Sequence, residues 1–217
     1  MNAFFDLLLG GVFHAAVLFL VAAGLQLVFG VQKIVNLACG SFYALGAYFG
    51  VTAVKWAIAA GAAPYLFLPV LIVAGIAIGS IIGPPIEALL RTVYRRDEAF
   101  QLLLTFALVL MFQDALRFFF GANPQQLGDT AMVYGTLSAG SVLVPTYNAL
   151  VIVASVAIAF GLGAFLQRTR FGRILRATAE NREMSEAMGV NVRRVYATVF
   201  TLGTILGTVG GALVVPT

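Results

Sequence analysis

Histidine and cysteine occur once each in this 217-residue chain, as His14 and Cys39, and tryptophan is equally scarce. A single cysteine excludes an internal disulfide and a cysteine-rich metal site, and a single histidine leaves little for a metal centre or a catalytic triad. Charge is the other shortage, at 10% of residues against 61% hydrophobic, with a mean hydropathy of +0.98. Such a chain has too little polar surface to clothe a water-soluble globule of this length, and it reads as an integral membrane protein. The net charge of +4 sits in two short loops, which points to membrane topology and not to nucleic acid.

What the chain has instead is apolar runs close to the ~20 residues a helix needs to cross the hydrocarbon core. They cover 7–30, 35–54, 65–83, 100–120, 149–166 and 195–215. The first lacks the basic flank of a cleaved signal peptide and carries Asp6 instead. The expected fold is an all-α polytopic transmembrane bundle of about six spans, a single domain over 1–217 without a soluble part.

Basic residues orient it. Residues 56–64 hold no Lys or Arg, and the only charge in 121–147 is Asp129. Arg91, Arg95 and Arg96 follow the third span, and seven of the thirteen basic residues, all arginine, fall with three acids in 168–194. Alternation puts these two loops and Lys33 on one side, expected to be cytoplasmic, and the N-terminus outside. Lys55 is the exception and can snorkel to the outer interface.

Glycine repeats mark packing faces. Gly75, Gly79 and Gly83, then Gly203, Gly207 and Gly211, and the pair Gly46 and Gly50 recur at four-residue spacing, which lets helix backbones approach in lipid. Pro84 and Pro85 are expected to end or kink the third span. Beyond them Glu87 and Arg91, at i and i+4, predict a solvated ion pair on a short helical extension reaching about Tyr94.

The 168–194 loop carries the strongest local signals. Phe171, Ile174 and Leu175 predict a short amphipathic helix at the membrane surface. Asn181 is placed to cap a second short helix with Glu183 in its first turn, Gly189 to end it in the left-handed conformation, and Asn191 to cap the last span. The tip would present Glu183, Ser185, Glu186 and Met188. Basicity alone fits an anchor for anionic lipid headgroups; the capped acidic segment fits a protein-docking element.

Two stretches carry a resemblance. RFGRILRATAENREMSEAMGVNVRRVYATVFTLGTILGTVGGAL at 170–213 resembles the cytoplasmic segment of bacterial ABC-importer permeases of the branched-chain (hydrophobic) amino acid family. GLQLVFGVQKIVNLACGSFYALGAY at 24–48 looks like that family's junction between its first two main spans. The resemblance implies an inner-membrane, multi-pass permease subunit, not an enzyme and without a cofactor. Its implied partners are two ATP-binding cassette subunits, a second homologous permease subunit or copy, an extracytoplasmic solute-binding protein, membrane lipid and a small-molecule substrate, with no nucleic acid.

It further implies that Glu183, Glu186, Ala187 and Gly189 belong to a coupling loop gripped by the ATPase subunit, and that the substrate is a branched-chain or other hydrophobic amino acid, or a related urea or small carboxylate. Neither Lys33 nor Lys55 lies in a GxxxxGK[ST] context, so no phosphate-cradling loop is expected from this chain. Two features depart from the family pattern. Asn36, Leu37, Ala38, Cys39 and Gly40 stand where Asn-Phe-Ala-His-Gly is usual, and the family continues through further spans, so the domain is expected to be incomplete at its C-terminus.

Intramembrane polar groups usually face a bundle interior. Asn36, Cys39, Gly40, Tyr43 and Gln113 are the candidates for a translocation pathway, with His14 and Gln26 beside them. His14 alone reads as an interhelical donor, and Asp114 and Arg117, at i and i+3, as a mutual ion pair. Two other classes compare less well: an ion-coupled secondary transporter or channel of small solutes is the alternative, but for the buried acids and discontinuous helices of such a carrier only Asp114 is a candidate, and a membrane enzyme should show a cluster of catalytic side chains, which the sequence does not offer.

Overall fold

The computed structural model describes residues 2–94, 96–121, 127, 134–139 and 142–216, with side chains described except at 2–6 and 136–144. Arg95 and Asp129, two of the residues used to orient the chain, lie outside the described residues. Eight α-helices are present among them: α1 (Asn2–Gln32), α2 (Cys39–Ala59), α3 (Phe67–Leu90), α4 (Glu98–Phe120), α5 (Thr146–Arg168), α6 (Arg170–Glu180), α7 (Arg182–Ala187) and α8 (Val192–Val214). Six stretches are long and apolar enough to cross a membrane: Leu7–Gln32, Cys39–Ala59, Pro64–Val93, Glu98–Phe120, Thr146–Arg168 and Val192–Val214. The all-helical polytopic bundle is therefore the architecture. One small addition is an antiparallel hairpin of β1 (Thr136–Ala139) and β2 (Val142–Pro145) leading into α5, with β2 beside α1.

The core sits around the last helix. In α8, 67% of the membrane window is buried within this chain, against 11% for α5, so α8 is the axis and α5 belongs to the perimeter. α3, α1 and α2 pack on it. Lipid supplies no hydrophobic drive for this assembly, so close backbone approach must do the work. A Cβ at Gly75, Gly79 or Gly83 would lie 2.7, 2.6 and 2.9 Å from the α-carbons of Val209, Ile205 and Thr201, so the α3 stripe runs antiparallel down α8. Gly46 of α2 rests on the Thr208 backbone in the same way.

Thr208 adds a hydroxyl that donates to the Gly75 carbonyl at 2.7 Å, bridging α8 to α3 inside the core. Near the end of α8, fully buried Tyr147 of α5 donates to the Leu213 carbonyl at 2.7 Å. A buried carbonyl that loses its donor keeps its desolvation cost. Tyr147→Phe is expected to destabilise the bundle by about 1–2 kcal/mol, read as a lower detergent-unfolding midpoint; an unchanged midpoint contradicts this role.

Pro84 and Pro85 do not end the third span. α3 runs through both to Leu90 and then tightens into a 3-10 turn over Arg91–Val93. Both prolines are exposed while Gly83, Ile86 and Glu87 are buried, so the rings lie away from the contact with α8 and the opposite face holds the helix on it. Membrane helices tolerate such donors' loss where neighbours hold the backbone in place.

The junction between α1 and α2 departs furthest from expectation. A continuous helix was predicted from Val35, but α1 ends at Gln32, Lys33 takes a left-handed φ of 57°, and α2 starts only at Cys39. Between them Ile34, Asn36 and Ala38 are buried while Lys33, Val35 and Leu37 are exposed, and residues 37 and 38 form a turn with Ala38 already helical at φ −71°, ψ −3°. The amide of Gln32 donates to the Tyr196 carbonyl, 2.9 Å away near the start of α8. The Cys39 carbonyl, in contrast, lies 3.9 Å from where a Gly207 side chain would begin. Gly207 is roughly 16 Å further along α8 than Tyr196 at the helical rise per residue. Residues 33–38 thus climb back into the bundle, and α2 starts at depth.

Candidate functional site

Two regions gather the polar groups. The first is the end of the bundle where α1 and α3 finish and α8 begins. Three side-chain caps shape it. Thr169 Oγ1 accepts from the Gly172 amide at 3.0 Å, Asn181 Oδ1 from the Met184 amide at 2.9 Å, and Asn191 Oδ1 from the Arg194 amide at 3.1 Å. Each side chain satisfies an amide that the helix start leaves unpaired. Gly189 closes the segment with φ +83°, a conformation L side chains rarely adopt. The loop is a rigid turn made of α6, α7 and the start of α8.

Its outward surface carries Glu183, Met184, Glu186, Ala187, Met188 and Gly189, all exposed, Met184 to 62% and Met188 to 78%. Ser185, expected on the tip, is instead buried: its hydroxyl donates to the Asn181 carbonyl at 2.9 Å and so stitches α7 to its own cap. Met184 was not singled out from the sequence; only its exposure reveals it beside Met188 as an apolar patch among charges. On α6 the inward face is Gly172, Leu175 and Thr178, with Ile174 exposed. The Gly172 backbone lies against Leu166 of α5, which rotates the helix away from the register expected from Phe171, Ile174 and Leu175.

Behind α7 lies a polar cleft of about 300 Å³ lined by residues including Glu87, Arg91, Tyr94, Arg182, Glu186 and Tyr196. The Glu87–Arg91 pair forms as expected, but it is not solvated: Glu87 is 0% exposed, because α3 continues past the prolines and keeps this turn against the bundle. Arg91 Nε donates to Glu87 Oε1 at 3.2 Å, and the Tyr94 hydroxyl donates to the same oxygen at 3.1 Å. Burial, with the Glu87 charge beside it, pushes the Tyr94 phenol well above its ordinary range, so it stays a donor. Arg182 Nε donates to Glu186 Oε1 at 3.0 Å, which holds the guanidinium charged.

The second region is a groove of about 410 Å³ between α2 and α4, lined by Gly40, Ser41, Tyr48, Gln113 and Arg117 among apolar neighbours. The start of α2 at depth places Gly40 and Ser41 level with Gln113, late in α4. Of the pathway candidates, the structure brings Gly40 and Gln113 together here. Cys39, half-buried, Asn36 and Tyr43 are not in the lining. Asn36 is 2% exposed; its Oδ1 accepts from the Ala38 amide at 3.0 Å, and its Nδ2 has no hydrogen-bond partner among the described residues. Tyr43 presses its backbone on Gly211 and packs with the central core.

Ser41, Tyr48 and Arg117 complete the groove; Ser41 and Tyr48 were missed as pathway groups, and Arg117, which could face the pathway, was read first as the ion-pair partner of Asp114. The sequence signal was there for Ser41 and Tyr48, since positions 41, 44 and 48 share a helical face with residue 37, but α4's position was needed to use it. Among the described residues the ion pairs are Glu87–Arg91 and Arg182–Glu186, so the expected Asp114–Arg117 pair does not form. Arg117 follows Gln113 by one turn and joins the groove, while Asp114 lies a helical step away from it. His14 is exposed, and its Nδ1 bonds the Gly10 carbonyl at 3.0 Å, so it serves its own helix and not a neighbour. Gln26 is also exposed and lines an apolar groove against α5 and α6.

Comparison with known proteins follows the same lines. Residues 7–217 match the family described as branched-chain amino acid transport system / permease component. The chain is 28% identical over 216 residues to a probable branched-chain amino acid transport permease protein LivH of Methanocaldococcus jannaschii, covering 94% of this chain and 64% of that protein. It is 27% identical over 203 residues to the high-affinity branched-chain amino acid transport system permease protein BraD of Pseudomonas aeruginosa, covering 89% of this chain and 65% of that protein. With LivH of Escherichia coli the identity is 25%, over 97% of this chain and 70% of that protein. The chain thus spans about two thirds of the length of these relatives. No solved structure matches it. A single profile match over nearly the whole chain, on a six-span bundle with a capped polar loop before its last helix, leads to one assignment: the chain belongs to the branched-chain amino acid transport permease family.

Proposed function

We propose that this chain forms part of the membrane-spanning subunit of an ATP-binding cassette importer, carrying branched-chain or other hydrophobic amino acids across the bacterial inner membrane. ATP would be hydrolysed by two cassette subunits, a second permease subunit or copy would complete the path, and an extracytoplasmic binding protein would deliver the solute. The N-terminus faces outside, with Lys33, Arg91, Arg96 and 168–194 in the cytosol.

The observation that carries this reading is the rigid exposed turn 181–189. Caps at both ends and a buried Ser185 make it a solid body, and Met184 and Met188 give it apolar contact area flanked by Glu183 and Glu186. A lipid-headgroup anchor would present its arginines there; this tip presents carboxylates. The groove of Gly40, Ser41, Tyr48, Gln113 and Arg117, mixed polar and apolar, suits a small zwitterion with an aliphatic side chain.

The test is co-purification with the cassette subunit. Glu186→Arg reverses the charge and loses the Arg182 bond, and Gly189→Pro forbids the positive φ; each is expected to reduce retained ATPase subunit roughly tenfold or more. Retention at the wild-type level in both variants rejects the docking role. The non-helical entry into α2 at depth favours the second reading, an ion-coupled transporter, because such carriers build sites from discontinuous helices. Solute uptake into vesicles that survives ATP depletion and collapses with a protonophore decides for it.

A further inference from the structure

A carboxylate withdrawn completely from water is an expensive way to fill space, and a well-packed apolar residue serves packing at least as well. Glu87 is 0% exposed, and what surrounds it is a chain of side chains from four separate elements. On α7, the Arg182 guanidinium lies 5.5 Å from the centre of the Tyr196 ring of α8. Tyr196 in turn meets Tyr94, just beyond α3, edge to face at 5.7 Å. The Tyr94 hydroxyl donates to Glu87 Oε1 at 3.1 Å and lies 3.4 Å from Gln32 Oε1 on α1. Gln32 Nε2 closes the circuit on the Tyr196 carbonyl at 2.9 Å.

The docking turn is thereby joined to the ends of α1 and α3 through two tyrosines and one buried acid. α6 is otherwise tied to α5, where Arg176 donates to the Leu166 carbonyl at 2.9 Å, and meets α1 and α8 through apolar contacts at Leu175, Val192 and Val195. Apolar surfaces can slide, whereas a buried hydrogen-bonded carboxylate has few alternative arrangements. We propose that Glu87 and Tyr94 are positioning residues that make a displacement of the docking turn a displacement of α1 and α3. This rests on the docking role of 181–189 proposed above. α1 is the helix whose end feeds the non-helical segment 33–38, so the link leads to the depth at which α2 begins. The acid takes the tyrosine's one proton at the shorter distance, Gln32 stands beside the same hydroxyl as its alternative acceptor and is tied to α8 through the Tyr196 carbonyl, and the arginine of the turn presses on the aromatic pair between them.

The experiment is hydrogen exchange on the purified complex with its cassette subunits, nucleotide-free and after trapping with ATP and vanadate. In the wild type, trapping is expected to change exchange rates roughly threefold or more at 182–187 and also at 87–94 and 29–34. Tyr94→Phe keeps the ring stack but deletes the hydroxyl, and Glu87→Gln keeps the shape but deletes the charge. Both are expected to retain the cassette subunits and to confine the change to 182–187. Tyr94→Phe is the milder change, and its result stands if Glu87→Gln does not fold. Wild-type propagation to 87–94 and 29–34 in Tyr94→Phe overturns the link. So does loss of the cassette subunits from Tyr94→Phe, because the tyrosine would then belong to the docking surface. A wild-type complex that retains no cassette subunit overturns the docking role first, and the link with it.

Discussion

Gly46→Ala is expected to lower the unfolding free energy of the bundle by about 3 kcal/mol or more, the upper range for forcing atoms into a packed core. The methyl group would fall on the Thr208 backbone itself, so no rotamer change can make room. α2 would have to withdraw from α8, and the contacts of Gly50 with Leu71 and Ala212 would go with it. Gly161→Ala on α5 is the control: nothing lies within 4 Å of its position, and alanine is the better helix former, so stability should hold or rise slightly. Denaturation by SDS titration in mild-detergent micelles measures both. Equal midpoints for Gly46→Ala and wild type would show that α2 does not pack here as described.

Arg91→Leu is the second large effect. Glu87 is enclosed, and among the described residues Arg91 is its cationic partner, with the guanidinium side chain 26% exposed. Removing the cation leaves the acid, among the described residues, with the Tyr94 hydroxyl. Loss of one member of a buried pair typically costs 3–5 kcal/mol; the solvent access of Arg91 reduces that to about 2 kcal/mol here. Glu87→Gln,Arg91→Leu together should recover part of the loss, since no uncompensated charge remains. The same micelle titration reads this, and a double variant no more stable than Arg91→Leu argues against the buried ion pair as the cause.

These two sites show how legibility varied along the chain. Gly46 and Gly50 stood out by spacing, yet so did Gly203, Gly207 and Gly211, and spacing alone ranks them equally. In the fold Gly207 has its nearest neighbour at 3.5 Å, while Gly24, in none of the repeats, is closed against Gly203. A glycine stripe states that a helix can be approached, and only the partner helix decides where. Glu87 and Arg91 were readable as a pair because helical spacing brings them together; their burial depended on α3 passing through two prolines, which local rules oppose.

Six spans, a polar turn before the last of them, the Asn181 and Asn191 caps of that turn and its left-handed glycine were all determined by the sequence. Hydrophobic length, side-chain capping and the sign of φ are local properties, set within one or two turns of chain. Tertiary structure alone decided that α8 is the axis, that α2 begins at depth after a non-helical entry, that Gln113 and Arg117 join Gly40 and Ser41 in one groove, and that Glu87 is buried beneath the 181–189 turn. Each of these depends on which helix stands beside which, and between helices of nearly uniform apolarity the choice rests on close steric fit and a few hydrogen bonds, information spread across residues far apart in the chain.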